Sequence, residues 1–155
     1  MVTLAVYWQV TAHEFINFDD PDYITQNHHV QAGLTKKSIV WALGFSDQER
    51  TYWHPITWLS HMLDCELFGL NPGKHHLINL ILHLANGLLL FWVLNKFTGA
   101  FWRSTFVAAL FLLHPINVDT VAWAAQRKNV LSTFIWIPTL QACYRAGRLG
   151  EQGCF

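Results

Sequence analysis

The chain has 155 residues, 52% hydrophobic and 15% aromatic, with a formal net charge of zero and 13% charged residues, about half the roughly 25% found in soluble domains. That shortage of charge points to lipid, and a net charge of zero gives no electrostatic footprint for nucleic acid, so none is expected as a partner. Three cysteines (Cys65, Cys143, Cys154) without a repeated spacing support neither a disulfide framework nor a zinc cluster.

The opening run, residues 1–12, has no basic flank or small-residue cleavage site and makes a poor secretory signal. At ~1.5 Å per residue a dozen residues fall short of the ~30 Å hydrocarbon core, so the run reads as the end of a clipped first membrane helix. Residues 13–74 form a long loop holding eight of the ten acidic residues (Glu14, Asp19, Asp20, Asp22, Asp47, Glu49, Asp64, Glu66). Within it, "WHPITWLSHMLDCELFGL" places Ile56, Leu59, Leu63 and Leu67 on one helical stripe, suited to lying in the interface with its apolar side in the headgroups. Pro55 fits a first helical turn and "NPG" at Asn71 to Gly73 ends the segment. "SIVWALGF", Ser38 to Phe45, is a second, shorter interfacial helix.

The clearest membrane span is 75–97: "LINLILHLANGLLLFWVLNKF" carries no charge until Lys96, and its length matches the ~20 residues needed to cross a bilayer. A shorter span over 102–114 stops at Pro115, followed by a short outer loop over 115–120. The last span, 121–144, is interrupted by "QRKN" and should kink at Pro138. Residues 145–155 lack periodicity and read as a tail. The predicted fold is all-α, a multi-pass transmembrane bundle with a long loop carrying interfacial helices. Lys96 and Arg103 flank one hairpin, and Arg145 and Arg148 follow the last span; the positive-inside tendency puts these ends in the cytoplasm and loop 13–74 on the extracytoplasmic face.

Three constellations carry chemistry. His76, Asn79, His83 and Asn86 recur at i, i+3, i+7 and i+10, so they share one face of an otherwise apolar helix. That face lines a cavity or hydrogen-bonds to neighbouring helices, since lipid would leave it unsatisfied. Asp119 and Arg127 form the second. On one continuous helix they lie ~12 Å apart along the axis and could border a common cavity, with Gln126 on the Asp119 face. Arg127 would then bind an anion such as a lipid phosphate, or else pair structurally with a carboxylate; Lys128 points elsewhere, placed to snorkel. Third, Asp19 and Asp20 stand together before "PDY": a solvated turn, a pair sharing a divalent cation, or a general base tuned by its neighbour. Nine histidines suggest metal ligands, with His54, His61 and Asp64 in one group and His75 and His76 in another, but no recognised zinc spacing occurs. GxxxxGK[ST], GxSxG and HExxH are absent, which removes the usual sequence support for a P-loop NTPase, a serine hydrolase or a zincin protease.

The segments "FINFDDPDYITQNHHVQAGLT", "WHPITWLSHMLDCELFGLNPGKHHLINLILHLANGLLLF" and "ALFLLHPINVDTVAWAAQRKNVLSTFIW" resemble the N-terminal membrane region of TMTC-type proteins. These are multi-pass membrane proteins with tetratricopeptide repeats, in the GT-C superfamily of glycosyltransferases. The resemblance implies transfer of a sugar, mannose in the animal proteins, from a polyprenyl-phosphate donor to a protein Ser or Thr hydroxyl on the extracytoplasmic face. It places the catalytic acidic motif at Asp19 and Asp20 and a donor- or metal-positioning acid at Asp119; by their charge, depth and helical spacing, Arg127 would hold the donor phosphate and His76, Asn79, His83, Asn86 and Gln126 would line the cavity. A divalent cation is a candidate cofactor, the lipid-linked sugar a co-substrate, and membrane lipids and a protein acceptor the partners. The membrane would be the bacterial inner membrane or the endoplasmic reticulum. The family has further helices and repeats, while no repeat of about 34 residues is found here, and Asn129 stands where the family pattern has an acid. The sequence therefore reads as a front fragment, inactive alone. The competing expectations are a non-catalytic membrane assembly module and a small pore lined by the His and Asn stripe.

Overall fold

The computed structural model of the chain describes residues 2–44 and 53–152, and every regular element among them is helical. Phe45, Asp47, Glu49 and Cys154, all used in the sequence reading, lie outside the described residues.

The longest helix, α5 (Pro72–Thr98), organises the rest. Asn71 caps its start by accepting the Lys74 N–H at 3.2 Å, and Pro72 occupies the first turn, where a missing N–H costs nothing. Gly99 ends it in the left-handed conformation (φ 64°), donating to the Asn95 carbonyl at 2.9 Å. Its 27 residues span about 40 Å, more than the ~30 Å hydrocarbon thickness. Among the described residues α5 alone is long and apolar enough to cross a membrane as a single helix.

The sides of α5 are inverted relative to a soluble amphipathic helix. His75, His76, Asn79, His83 and Asn86 are buried, while Ile81, Leu88 and Trp92 are exposed. In water that arrangement would waste the hydrophobic face; beside lipid it satisfies both. Helix α6 (Phe101–Leu113) repeats it, packing Ser104 and Ala108 inward and presenting Trp102, Phe106 and Leu110 outward. The two helices approach closely because Gly87 leaves room for Leu112: a Cβ at that glycine would overlap the leucine side chain. Joined to the turn and helix that follow it, over Pro115–Ala122, α6 makes a second membrane-spanning candidate bent by 50°.

Beyond α6 the chain departs from the expected pattern. The expected outer loop 115–120 is helical: a 3-10 turn at Pro115–Asn117 leads into α7 (Val118–Ala122). Trp123 is then extended (φ −115°, ψ 120°), a second 3-10 turn follows, and α8 runs from Arg127 to Gln152. The expected span 121–144 is thus broken at Trp123, and the reckoning of Asp119 and Arg127 along one helix fails with it. The tail 145–155 is helical as far as Gln152.

The N-terminal part wraps the start of α5 and α8. Helix α1 (Val2–Tyr7) continues as a 3-10 turn to Ala12, and its Tyr7 and Val10 pack with Leu80 and Val121. After a π-helical turn at Pro21–Thr25 come α2 (His28–Gln31), capped by Asn27, and α3 (Lys36–Leu43), capped by Thr35. Helix α4 (Pro55–Phe68) buries Trp58, His61, Met62, Asp64 and Cys65 and exposes Ile56, Leu63 and Leu67. Most of the expected apolar stripe therefore faces outward, and the inward face carries the polar groups. Tyr23, Ile24, Val30, Ala42, Trp58 and Met62 join Ala124 and Ala125 in one cluster, which clamps this loop onto the corner between α7 and α8.

Candidate functional site

The broken corner at Trp123 exposes backbone N–H groups that a continuous helix would have bonded internally. Asp20 supplies one acceptor. Its side chain is fully buried, with Oδ1 accepting the Ala125 N–H at 2.8 Å and Oδ2 accepting the Ile16 N–H at 2.8 Å. One carboxylate thus ties loop 13–74 to a segment more than a hundred positions later. Asp19 has a different fate: its side chain is 34% exposed and lies 4.0 Å from the Lys128 ammonium, itself 27% exposed. Lys128 also rides over the Tyr23 ring at 5.1 Å, so the residue expected to point elsewhere and snorkel faces Asp19. Asp119 is exposed in the first turn of α7, six positions before Ala125.

Arg127, expected at the donor phosphate, is fully buried. It pairs with Asp64 on α4, donates from Nε to Asn79 Oδ1 at 2.7 Å, from Nη1 to Ser60 Oγ at 3.2 Å and from Nη2 to the His75 carbonyl at 2.7 Å. A phosphate would reach this guanidinium only by displacing Asp64. Burial raises the Asp64 carboxyl, with the guanidinium opposing the rise. Burial also takes the neighbouring His61 well below the usual imidazole range, helped by the charge of Arg127 and by His75, so His61 is neutral. The Cys65 thiol is pushed up to about 11 by burial and then by the Asp64 charge, which leaves it unreactive at neutral pH.

The polar stripe of α5 is engaged by other helices. Asn79 donates to the Trp123 carbonyl at 3.0 Å, His83 Nε2 lies 3.3 Å from the Leu112 carbonyl, and Asn86 donates to the Val130 carbonyl at 2.9 Å. These bonds fix α6, the corner and α8 around α5. His76 is buried near the rings of His13 (6.1 Å) and Phe15 (6.4 Å), with neither ring nitrogen in hydrogen-bond geometry. Gln126 accepts from Asn129 at 2.7 Å.

The alternative that Arg127 pairs structurally with a carboxylate holds; the sequence did not name Asp64 as that carboxylate, nor Ser60 beside it. A signal was present: Asp64 shares a helix face with Trp58, His61 and Cys65, while its acidic neighbour Glu66 falls on the outer side. Metal-ligating side chains also converge elsewhere than at the acidic pair. Among the described residues the one such group is His61, Asp64 and His75, which takes members from both histidine groups of the sequence reading.

No protein-family model matches the chain, and no solved structure matches it. Curated proteins do. The mouse protein O-mannosyl-transferase TMTC1 is 29% identical over 148 residues, covering 91% of this chain and 15% of that protein. Its human counterpart is 30% identical over 148 residues, covering 91% and 16%. Human protein O-mannosyl-transferase TMTC3 is 28% identical over 143 residues, covering 88% and 15%. The chain therefore spans about 15% of the length of these relatives. Over nine-tenths of its own length, it is homologous to the TMTC-type protein O-mannosyl-transferases.

Proposed function

We propose that this chain supplies part of the transfer site of a GT-C type membrane glycosyltransferase. The enzyme moves mannose from a polyprenyl-phosphate donor to a protein Ser or Thr hydroxyl on the extracytoplasmic face. The observation that carries the reading is the match of 91% of the chain to proteins named as O-mannosyl-transferases.

The contrast within the acidic pair supports a division of roles. Asp20, with both oxygens on backbone N–H groups, holds the loop and the corner in register. Asp19, half-exposed beside Lys128, is the carboxylate that an acceptor can reach. Asp19 takes the hydroxyl proton as the acceptor oxygen bonds to the anomeric carbon, and the bond from that carbon to the phosphate oxygen breaks. The leaving group is polyprenyl phosphate, whose charge Lys128 offsets. Asp119 positions the donor from α7, and Arg127 secures the corner from which Lys128 projects.

The test is transfer of radiolabelled mannose from polyprenyl-phosphate mannose to a Ser/Thr peptide by membranes containing a full-length TMTC-type relative, with the substitution made at the position that matches Asp19. Asp19→Asn is expected to lower transfer by about 10²- to 10⁴-fold, the range for loss of a general base. Equal transfer by the unaltered and substituted proteins removes Asp19 from the chemistry.

A second reading, a non-catalytic assembly module, is favoured by the use of Asn79, His83 and Asn86 in helix packing. A stable protein complex that co-purifies without lipid-linked sugar supports it.

A further inference from the structure

Two histidines that the transfer reading leaves unused converge with Asp64, the partner of Arg127, between α4 and α5. His61 and Asp64 stand one turn apart on the inward face of α4, and His75 enters from the first turns of α5. All three are buried, and one ligand atom from each lies within 4.8 Å of the others. The Nδ1 atoms of His61 and His75 are 3.4 Å apart, and His75 Nδ1 is 3.4 Å from Asp64 Oδ2. Two ligands on a tetrahedral zinc ion, each about 2.0–2.1 Å from the metal, are separated by about 3.3 Å. Both measured separations are already tetrahedral edges.

The proton positions point the same way. His75 Nε2 lies 3.2 Å from the Gly69 carbonyl oxygen. A carbonyl can only accept, so Nε2 carries the proton and donates, which leaves the Nδ1 lone pair directed at His61 and Asp64. This arrangement, with a backbone carbonyl orienting the far ring nitrogen, is how proteins prepare an imidazole for metal. The two tautomers of His61 each leave a contact strained, although the Ala124 backbone lies beside the ring. With its proton on Nδ1 it can donate to His75, but the buried Nε2 lone pair has no donor. With its proton on Nε2, two lone pairs face each other across the 3.4 Å gap. A cation between the Nδ1 atoms removes that conflict.

We propose that His61, Asp64 and His75 bind zinc(II) through two imidazole nitrogens and one carboxylate oxygen, with the fourth position open to a small anion. Two nitrogens and an oxygen at tetrahedral spacing suit zinc better than magnesium or calcium, which take oxygen ligands in larger shells. The anion follows from charge. Arg127 already contacts Asp64, so a zinc ion with neutral imidazoles leaves excess positive charge in a buried site, which a hydroxide reduces. The site is separate from Asp19 and Asp20 and fastens α4 to α5 whether or not the chain transfers sugar.

The full chain, purified in detergent without chelator and supplied with zinc alone, is expected to hold about one zinc per chain, with X-ray absorption at the zinc edge showing two imidazole nitrogens at about 2.0–2.1 Å. Cobalt(II) in its place should give the intense visible bands of a tetrahedral site. His61→Gln and His75→Gln should each release the metal, and His83→Gln, which alters a buried imidazole outside the set, should retain it. A metal-free chain overturns the proposal, as does a zinc ion without imidazole scattering or one retained by both His61→Gln and His75→Gln. The absorption measurement uses the unaltered chain, so the outcome stands even where a variant fails to fold.

Discussion

Arg127 and Lys128 are adjacent at the start of α8, yet the fold uses them in opposite ways. Arg127 turns inward and is sealed by Asp64, Ser60, Asn79 and the His75 carbonyl, whereas Lys128 turns toward Asp19 at a half-exposed rim. The acids are divided likewise: Asp20 is buried on two backbone N–H groups, and Asp19 stays accessible. A buried charge that has found every partner builds a frame. A rim charge, with water still beside it, contributes little to stability and remains free for a substrate.

That contrast can be broken most severely at the buried pair. Asp64→Asn or Arg127→Met leaves an uncompensated buried charge or an incomplete network, and either should destabilise the chain by about 3–5 kcal/mol. The double variant Asp64→Leu with Arg127→Met should recover most of that loss, because replacing both partners with apolar groups removes the desolvation penalty. Thermal unfolding in detergent, followed by helix content, measures both. Next in size, Asp20→Asn weakens two charge-assisted bonds to backbone N–H groups and should destabilise by about 1.5–3 kcal/mol, accompanied by faster hydrogen exchange at Ala125 and Ile16. Gly87→Ala drives a methyl group into Leu112 and should lose about 1–3 kcal/mol through overpacking. The rim pair lies at the bottom of the scale: Lys128→Gln should change stability by at most about 1 kcal/mol, and a larger fall would show that this pair too belongs to the frame. Thiol reactivity sharpens the picture without altering the chain, since buried Cys65 should alkylate only on unfolding.

Much of the frame was legible because it follows from length and periodicity. The uncharged run over α5 announces a helix long and apolar enough to cross a membrane, and the spacing of His76, Asn79, His83 and Asn86 announces a buried polar face. Of the stripe Ile56, Leu59, Leu63 and Leu67, three face outward on α4 and Leu59 packs against the inner cluster. The break at Trp123 was not legible, since "VDTVAWAAQRKNVL" holds neither Pro nor Gly. It is held by a tertiary contact, the Asp20 carboxylate on the Ala125 N–H, which no local window contains. The lack of periodicity over 145–155 suggested a tail, but α8 continues to Gln152; isolated glycines such as Gly147 weaken a helix by only ~1 kcal/mol each. For the candidate site, the acidic pair stood out in the sequence, but the difference between Asp19 and Asp20 did not. Neighbouring side chains on a turn point apart, and which one meets the corner depends on segments a hundred residues away.

The most direct measurement makes the substitution that matches Asp19→Asn in a full-length TMTC-type relative and compares it with the unaltered protein in one membrane preparation, recording mannose transfer and thermal unfolding side by side. Transfer should fall by about 10²- to 10⁴-fold while stability shifts by less than about 1 kcal/mol. Undiminished transfer, or a loss of transfer that only follows a collapse of the fold, would contradict the role given to Asp19.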